Sequence, residues 1–292
     1  MKNKAMFSSQ LLHKMGIDFE IAFYINRFED FKNGADRIYY GHEFCEYLIP
    51  DLDVLKRWFS FTKTKKKNFT LVTPFVTNYG LKRLYSLLLF LNQQGRIEVV
   101  FNDWGVFKLM KDNFKNLQPV LGRLLTKQRR DPRISKLFLA QQKTRQVLEQ
   151  NGKIKKIFLP KKIPDELFKH YQASVINVAV FKEYLLSLNI KRVEIDNLVW
   201  EMNIKTGRRI GVSIYLPYGY IATTRLCGKL TLSYAPCHKE CKKYFLQLNN
   251  AHTSVPVYSI GNTLFYRSKI PTNQYLKEKG INRIIYQPRL PY

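Results

Sequence analysis

The chain has 292 residues, 45% of them hydrophobic, which is enough to bury a large core and excludes wholesale disorder. Its 49 Lys and Arg against 22 Asp and Glu give a formal charge of +27, which favours encounter with polyanions but bears on solubility and association and not on chemistry. The opening stretch "MKNKAMFSSQLLHKMGIDFEIAFYI" lacks the apolar region and small-residue cleavage site of a secretory signal. The most apolar run, Leu84 to Leu91, is far short of a membrane span. A cytoplasmic chain is therefore expected, and in that reducing setting clustered cysteines point to metal binding or catalysis before disulfides.

In chain order, short β-type runs alternate with helical patterns. "DFEIAFYI" (18–25), "DRIYYG" (36–41), "FTLVTPFV" (69–76) and "IEVVFND" (97–103) are rich in β-branched and aromatic residues and stop at turn or charged residues. The clearest helix is "YGLKRLYSLLLFLNQQG", whose leucines recur at steps of three and four and which ends at Gly95. Further strands are expected at 119–125, 192–197, 209–216 and 282–287. Nearly continuous apolar character in several of them suggests a parallel sheet buried on both faces.

Eight strands with intervening helices predict a (β/α)8 TIM-like barrel as a single domain over 1–292, with a doubly wound sheet as the competing architecture. A basic insertion over about 126–171, including "KQRRDPRISK" and "KIKKIFLPKKIPDE", falls between strands 5 and 6. The lysine runs 63–67 and 153–162 read most simply as solvated faces.

Three of the four cysteines, Cys227, Cys237 and Cys241, crowd into the segment of about 223–245 as C-x9-C-x3-C, and the fourth, Cys45, lies just beyond the second strand. Loops after the second and seventh strands of a barrel open on one face, so Cys45 and Cys227 are able to meet there. Four thiolates suit a structural zinc or an iron-sulfur cluster. Only the last pair has the close spacing of zinc sites, whereas iron-sulfur sites tolerate one distant ligand. Lys239, Lys242 and Lys243 would stabilise thiolates. The bland alternative is that the cysteines are small core residues, and His238 is a further ligand candidate.

Asn102 and Asp103 end the fourth strand, where a barrel places catalytic groups, and would equally cap the next helix. Arg123 would reach the same mouth to bind a carboxylate or phosphate, or pair with Asp103. Glu194 and Asp196 alternate onto one face of the sixth strand, for acid/base work or for salt bridges to Arg192 or Arg123. No nucleophile elbow, P-loop, dinucleotide fingerprint or H-E-x-x-H motif occurs, and the histidines lack metal-ligand spacing. His42 beside Cys45 leaves a cysteine nucleophile as a weak alternative.

These segments resemble a known family. "DRIYYGHEFC" is similar to the "D-x-I-Y-L-G-x-x-x-C" segment of the collagenase-like U-32 peptidase family, especially its short single-domain branch involved in oxygen-independent ubiquinone hydroxylation. "IEVVFNDWGVFKLM" looks like the family's strand with its Asp-x-Gly turn, "PVLGRLL" its next strand, and "GYIATTRLC...CHKEC" its cysteine cluster. "YSIGNTLFYRS" resembles its hairpin and "GINRIIYQPR" its last strand, so the likeness runs from Ile17 to Arg289, with the basic insertion as the chief departure.

The resemblance implies a four-iron four-sulfur cluster held by Cys45, Cys227, Cys237 and Cys241. It further implies a part in oxygen-independent hydroxylation of a ubiquinone precursor or an RNA base, with Asp103 and Arg123 lining the substrate mouth and Glu194 a further catalytic candidate. A paralogous family subunit and RNA on the basic surface are the implied partners. Two alternatives stay open: the peptidase of the family's label, and a non-catalytic RNA-binding protein with a structural zinc.

Overall fold

The computed structural model describes residues 18–135, 143–159, 164–227, 237–249 and 251–292. Five strands come first: β1 (Glu20–Tyr24), β2 (Arg37–Gly41), β3 (Asn68–Val72), β4 (Ile97–Phe101) and β5 (Leu117–Leu121). The antiparallel hairpin β6 (Lys143–Leu148) and β7 (Ile154–Leu159) follows, then β8 (Arg192–Asp196) and β9 (Gly211–Leu216). Next come β10 (Tyr218–Thr223), β11 (Leu246–Leu248), β12 (Val257–Ile260) and β13 (Thr263–Arg267), and last β14 (Ile281–Tyr286). Strands β1 to β5, β8, β9 and β14 close a parallel eight-stranded barrel, and they are the eight runs expected from sequence.

Alternation along these strands sorts the side chains. Ala22, Tyr24, Tyr39, Val72, Val100, Val120, Tyr215 and Ile285 meet in the lumen. Their neighbours Ile21, Phe23, Ile38, Leu71, Val99, Ile214 and Ile284 face outward into the larger core. That core is completed by helices α1 (Leu52–Thr64), α2 (Asn78–Gln93) and α3 (Trp104–Asn113), then α4 (Asp165–Gln172), α5 (Ala179–Ser187) and α6 (Asn273–Glu278). In α2 the buried residues Leu84, Leu87, Leu88 and Leu91 follow the helical repeat, each worth about 1.5–3 kcal/mol of burial. The chain leaves α2 through Gly95 at φ 100°, a backbone that a side chain disfavours.

The lumen is charged at both ends. Near the strand starts, Arg283 donates from Nε to Glu20 (2.6 Å), from Nη1 and Nη2 to Glu98 (2.6 and 3.0 Å), and from Nη1 to the Tyr39 hydroxyl (2.8 Å). Arg37 bridges the same two carboxylates, at 2.6 Å to Glu20 and 3.3 Å to Glu98. Two cations thus neutralise two anions. Burial alone would raise the Glu98 carboxyl, but the bonds and charge of Arg283, then Arg37, outweigh it and hold the group at about 2.

Two strands end earlier than their apolar runs suggest. β3 stops at Val72, because Pro74 has no N–H to continue the ladder. β5 spans Leu117–Leu121 instead of 119–125: a side chain at Gly122 would lie 2.1 Å from Asn102 Oδ1, and there the chain turns away with Arg123.

Two excursions interrupt the barrel. Between β5 and β8 lie the β6–β7 hairpin, α4 and α5. Between β9 and β14 lies a four-stranded antiparallel sheet in the order β10-β13-β12-β11, and the described parts of the cysteine segment, 223–227 and 237–245, adjoin its strands β10 and β11, while 228–236 lie outside the described residues. Sequence periodicity did not indicate β6, β7, β10 or β11, whereas the resemblance-based hairpin at 258–268 is β12–β13.

Replacing Arg283 by Met leaves Glu98 and Glu20 in a low-dielectric lumen with Arg37 as their remaining bridge. Urea unfolding of Arg283→Met at pH 7 is expected to show a loss of about 3–5 kcal/mol, the usual consequence of breaking a buried ion pair from one side.

Candidate functional site

The C-terminal mouth of the barrel is where β2, β4, β5, β8 and β9 deliver the polar residues singled out above. Arg123, fully buried, lies at its centre. Its guanidinium grips Glu43 through two bonds (Nε to Oε1 3.0 Å, Nη2 to Oε2 2.6 Å), and Nη1 donates to Asp196 (2.7 Å) and to the Tyr218 carbonyl (3.1 Å). It stacks 3.7 Å above the Tyr215 ring. Burial opposes the charge, but Glu43 and then Asp196 more than offset it, so Arg123 remains a cation. With no exposed surface, it closes the mouth instead of offering itself to substrate, and its ion pairs run to Glu43 and Asp196, not to Asp103.

Asp196 accepts from both sides. Arg130 Nε reaches its other oxygen at 2.5 Å, and Arg130 also donates to the Arg123 carbonyl at 2.5 Å and covers Tyr220 at 4.3 Å. The start of the expected basic excursion is therefore part of the barrel's lid. Glu194, one alternation deeper, accepts from the Tyr215 hydroxyl (2.6 Å), while its second oxygen has no hydrogen-bond partner. Burial raises the Glu194 carboxyl to about 8, so it carries a proton at neutral pH.

Asp103 caps α3, accepting from Gly105 N at 2.7 Å, and also receives Val76 N at 3.3 Å. The capping alternative for this residue is thus realised. Asn102 is buried and ties three loops together, donating to the Thr73 carbonyl (2.9 Å) and accepting from Leu124 N (3.1 Å). Asp103 nonetheless reaches toward the cysteine segment: Arg225, two residues before Cys227, lies 3.6 Å from its carboxylate.

The four cysteines are all half-buried and reduced. Cys45 feels the charge of Cys241 and Cys237, Cys241 feels Cys237 and Cys227, and the Tyr292 hydroxyl feels Cys45, Cys241 and Cys227. Residues almost two hundred positions apart in sequence are thus electrostatic neighbours. Burial first, then these thiols, push Cys45 up to about 11. Burial, followed by Lys242 and Lys239, drives His42 down to about 3, leaving it neutral. Among the described residues no three His, Cys, Asp or Glu side chains form a group able to hold a metal ion as they stand. The donor set suits a four-thiolate group in chemistry and in placement at one mouth, and ligation would require the sulfurs to draw closer.

Sequence reasoning missed the device that brings these segments together. The β12–β13 turn, Gly261–Asn262, acts as a clasp: Asn262 Nδ2 donates to the Phe44 carbonyl at 2.7 Å, next to Cys45, and to the Thr224 carbonyl, and the Asn262 carbonyl accepts Thr224 N at 3.1 Å. Gly261, at φ 56°, backs onto Cys241, whose Cβ would sit 3.3 Å from an added side chain. Glu46 fixes the other side of Cys45 by accepting both Thr77 N and Thr77 Oγ1 at 2.8 Å, at the start of α2. The Gly-Asn pair between two apolar runs is a hairpin signal in the sequence, but its grip on Phe44 is tertiary.

No protein-family model matches the chain, and no curated protein matches it. Among solved structures it is similar to a glycoside hydrolase family 18 N-acetylglucosaminidase from Paenibacillus barengoltzii, at 8% identity, covering 92% of this chain and 94% of that one with a TM-score of 0.36. A likeness at that level carries no argument about chemistry. The fold and site describe a TIM-like barrel whose mouth is sealed by a buried ionic network and overlaid by a cysteine-bearing sheet.

Two outcomes test this geometry. The folded chain keeps a proton on Glu194 that the unfolded chain releases above about 4.5, so stability falls as pH rises from about 4.5 to about 8, by up to about 1.4 kcal/mol per unit. Glu194→Gln is expected to flatten that decline in urea titrations across the same window. Asn262→Ala removes the clasp, and is expected to cost about 1–3 kcal/mol and to speed alkylation of Cys241, read by mass spectrometry, while the far-ultraviolet circular dichroism of the barrel is unchanged.

Proposed function

We propose that this chain is an iron-sulfur protein in which Cys45, Cys227, Cys237 and Cys241 hold a four-iron four-sulfur cluster at the barrel mouth. Its role would be in oxygen-independent hydroxylation, on a ubiquinone precursor or an RNA base. The observation that carries the cluster is the convergence of all four thiols, from the β2 loop and from the added sheet, into one electrostatic neighbourhood. The reaction type rests on the resemblance to the U-32 peptidase family set out above.

Such a cluster supplies one-electron transfer when bound. The chain's own residues would serve it in three ways. Lys239 and Lys242, whose charge reaches His42, sit beside the thiols and offset the negative charge of a four-thiolate cluster. Lys239 takes the left-handed backbone at φ 56° and so bends the C-x3-C turn. The Arg225–Asp103 pair spans from α3 to the Cys227 segment and gives the mouth an exposed cation beside a half-buried carboxylate for orienting a polar substrate.

The peptidase alternative has less support. A nucleophilic Cys45 would need a thiolate at neutral pH, and its thiol is instead pushed up to about 11 while His42 is driven down to about 3.

Anaerobic purification with iron and sulfide assay tests the proposal. About four irons per chain and a brown chromophore are expected in the wild type, with Cys241→Ser lowering iron to below about half of that. Unchanged iron in Cys241→Ser refutes the ligand set, and stoichiometric zinc without colour favours the structural-zinc alternative.

A further inference from the structure

The end of the barrel opposite the cysteines holds a cavity of about 350 Å³. Its floor is the start of β3 and β4 with Arg37, Glu98 and Gln118. One wall is the last turn of α1 with Lys63 and Lys67, and the other is the α2–β4 connection with Arg96.

The charges on this lining do not cancel. Arg37 and Glu98 belong to the four-membered network with Arg283 and Glu20, two cations against two anions. Lys63, Lys67 and Arg96 have no carboxylate partner among the described residues. Lys63 lies 5.4 Å from the Phe59 ring, and Arg96 donates to the Gln118 amide oxygen, at 3.1 and 3.3 Å, when that amide is turned toward it. Helices α1 and α2 both end here, and their C-termini contribute about half a negative charge each. Three full cations against about one negative charge leave the cavity with about two positive charges.

We propose that this cavity is an anion site for a compact phosphate-bearing dianion, a phosphate monoester or pyrophosphate group. A concave site of this volume encloses one such group together with its attachment, whereas a polymer backbone needs an extended groove. Lys63, Lys67 and Arg96 supply the charge, and the Arg96 guanidinium supplies the paired donors suited to phosphate oxygens. The site is independent of the cysteines, and its failure would leave the cluster proposal untouched. It also changes the meaning of the lysine run 63–67: two of its members line a cavity and are not simply a solvated face.

Isothermal titration of the full chain with inorganic pyrophosphate at low salt is the test. One-to-one binding is expected, weakened about tenfold or more in Lys63→Glu/Arg96→Glu and in the milder Lys63→Met/Arg96→Met, and unchanged in Lys153→Glu/Lys155→Glu on the β6–β7 hairpin, which does not line the cavity. Absence of pyrophosphate binding to the wild type overturns the proposal. So does an equal loss in the hairpin variant, which would indicate diffuse attraction. A single-stranded RNA oligonucleotide that binds wild type and is not displaced by pyrophosphate also overturns it, assigning the basic surface to a polymer.

Discussion

The barrel depends on how it closes between β5 and β8. Those two strands share a single register pair, Leu121 with Val193, so the backbone ladder that holds every other seam is almost missing there. Side chains replace it. The Gln128 amide donates to the Asp196 carbonyl (3.1 Å) and accepts from Asp196 N (2.7 Å), the pair of bonds a neighbouring strand would make. The Asp196 carboxylate is held between Arg123 and Arg130, and Glu43 takes the remaining face of Arg123. Two carboxylates and two guanidiniums balance in a place where an unpaired ion would cost several kcal/mol. The same knot positions the added sheet, through Arg123 to the Tyr218 carbonyl, Arg130 over Tyr220 and Tyr266 to the Asn197 carbonyl at 2.9 Å. Loosening the seam would therefore move the cysteines.

How much of this was legible depended on whether the signal was local. Eight strands were readable because outward residues must pack on helices, which gives each strand an apolar repeat of two. The inward set carried no such rule. Glu194 and Asp196 are plainly on one face of β8, but a period of two cannot say which face is inside. Val193 and Ile195 decide it by packing outward, and the acids then meet arginines from distant strands. The end of β5 was misplaced because Gly122 looks like part of an apolar run until the Asn102 side chain is known to occupy the space beside it.

The cysteines were legible by type and spacing; barrel geometry allowed Cys45 to meet Cys227, and the set of four came from the family resemblance. What the sequence hid were the polar residues that hold the mouth. Glu43 sits between His42 and Cys45 without any motif of its own, and Gln128 and Arg130 lie inside a basic run that composition assigns to solvent. Their burial is set by partners 66 to 80 positions away, a distance over which local pattern carries no information.

The electrostatics of the two ends complement each other. Inside the barrel the ionic networks cancel, so the large positive excess falls on the surface and on the linings that open to it. Near the thiols, burial holds Cys45 up at about 11, and withdrawal from water also raises Cys241 although the neighbouring Lys242 favours its thiolate. Lysines alone therefore do not make a nucleophile of this cysteine. A cation bound directly to sulfur acts at far shorter range and would displace the proton outright. Burial that keeps Cys45 and Cys241 protonated at neutral pH protects both from adventitious reaction.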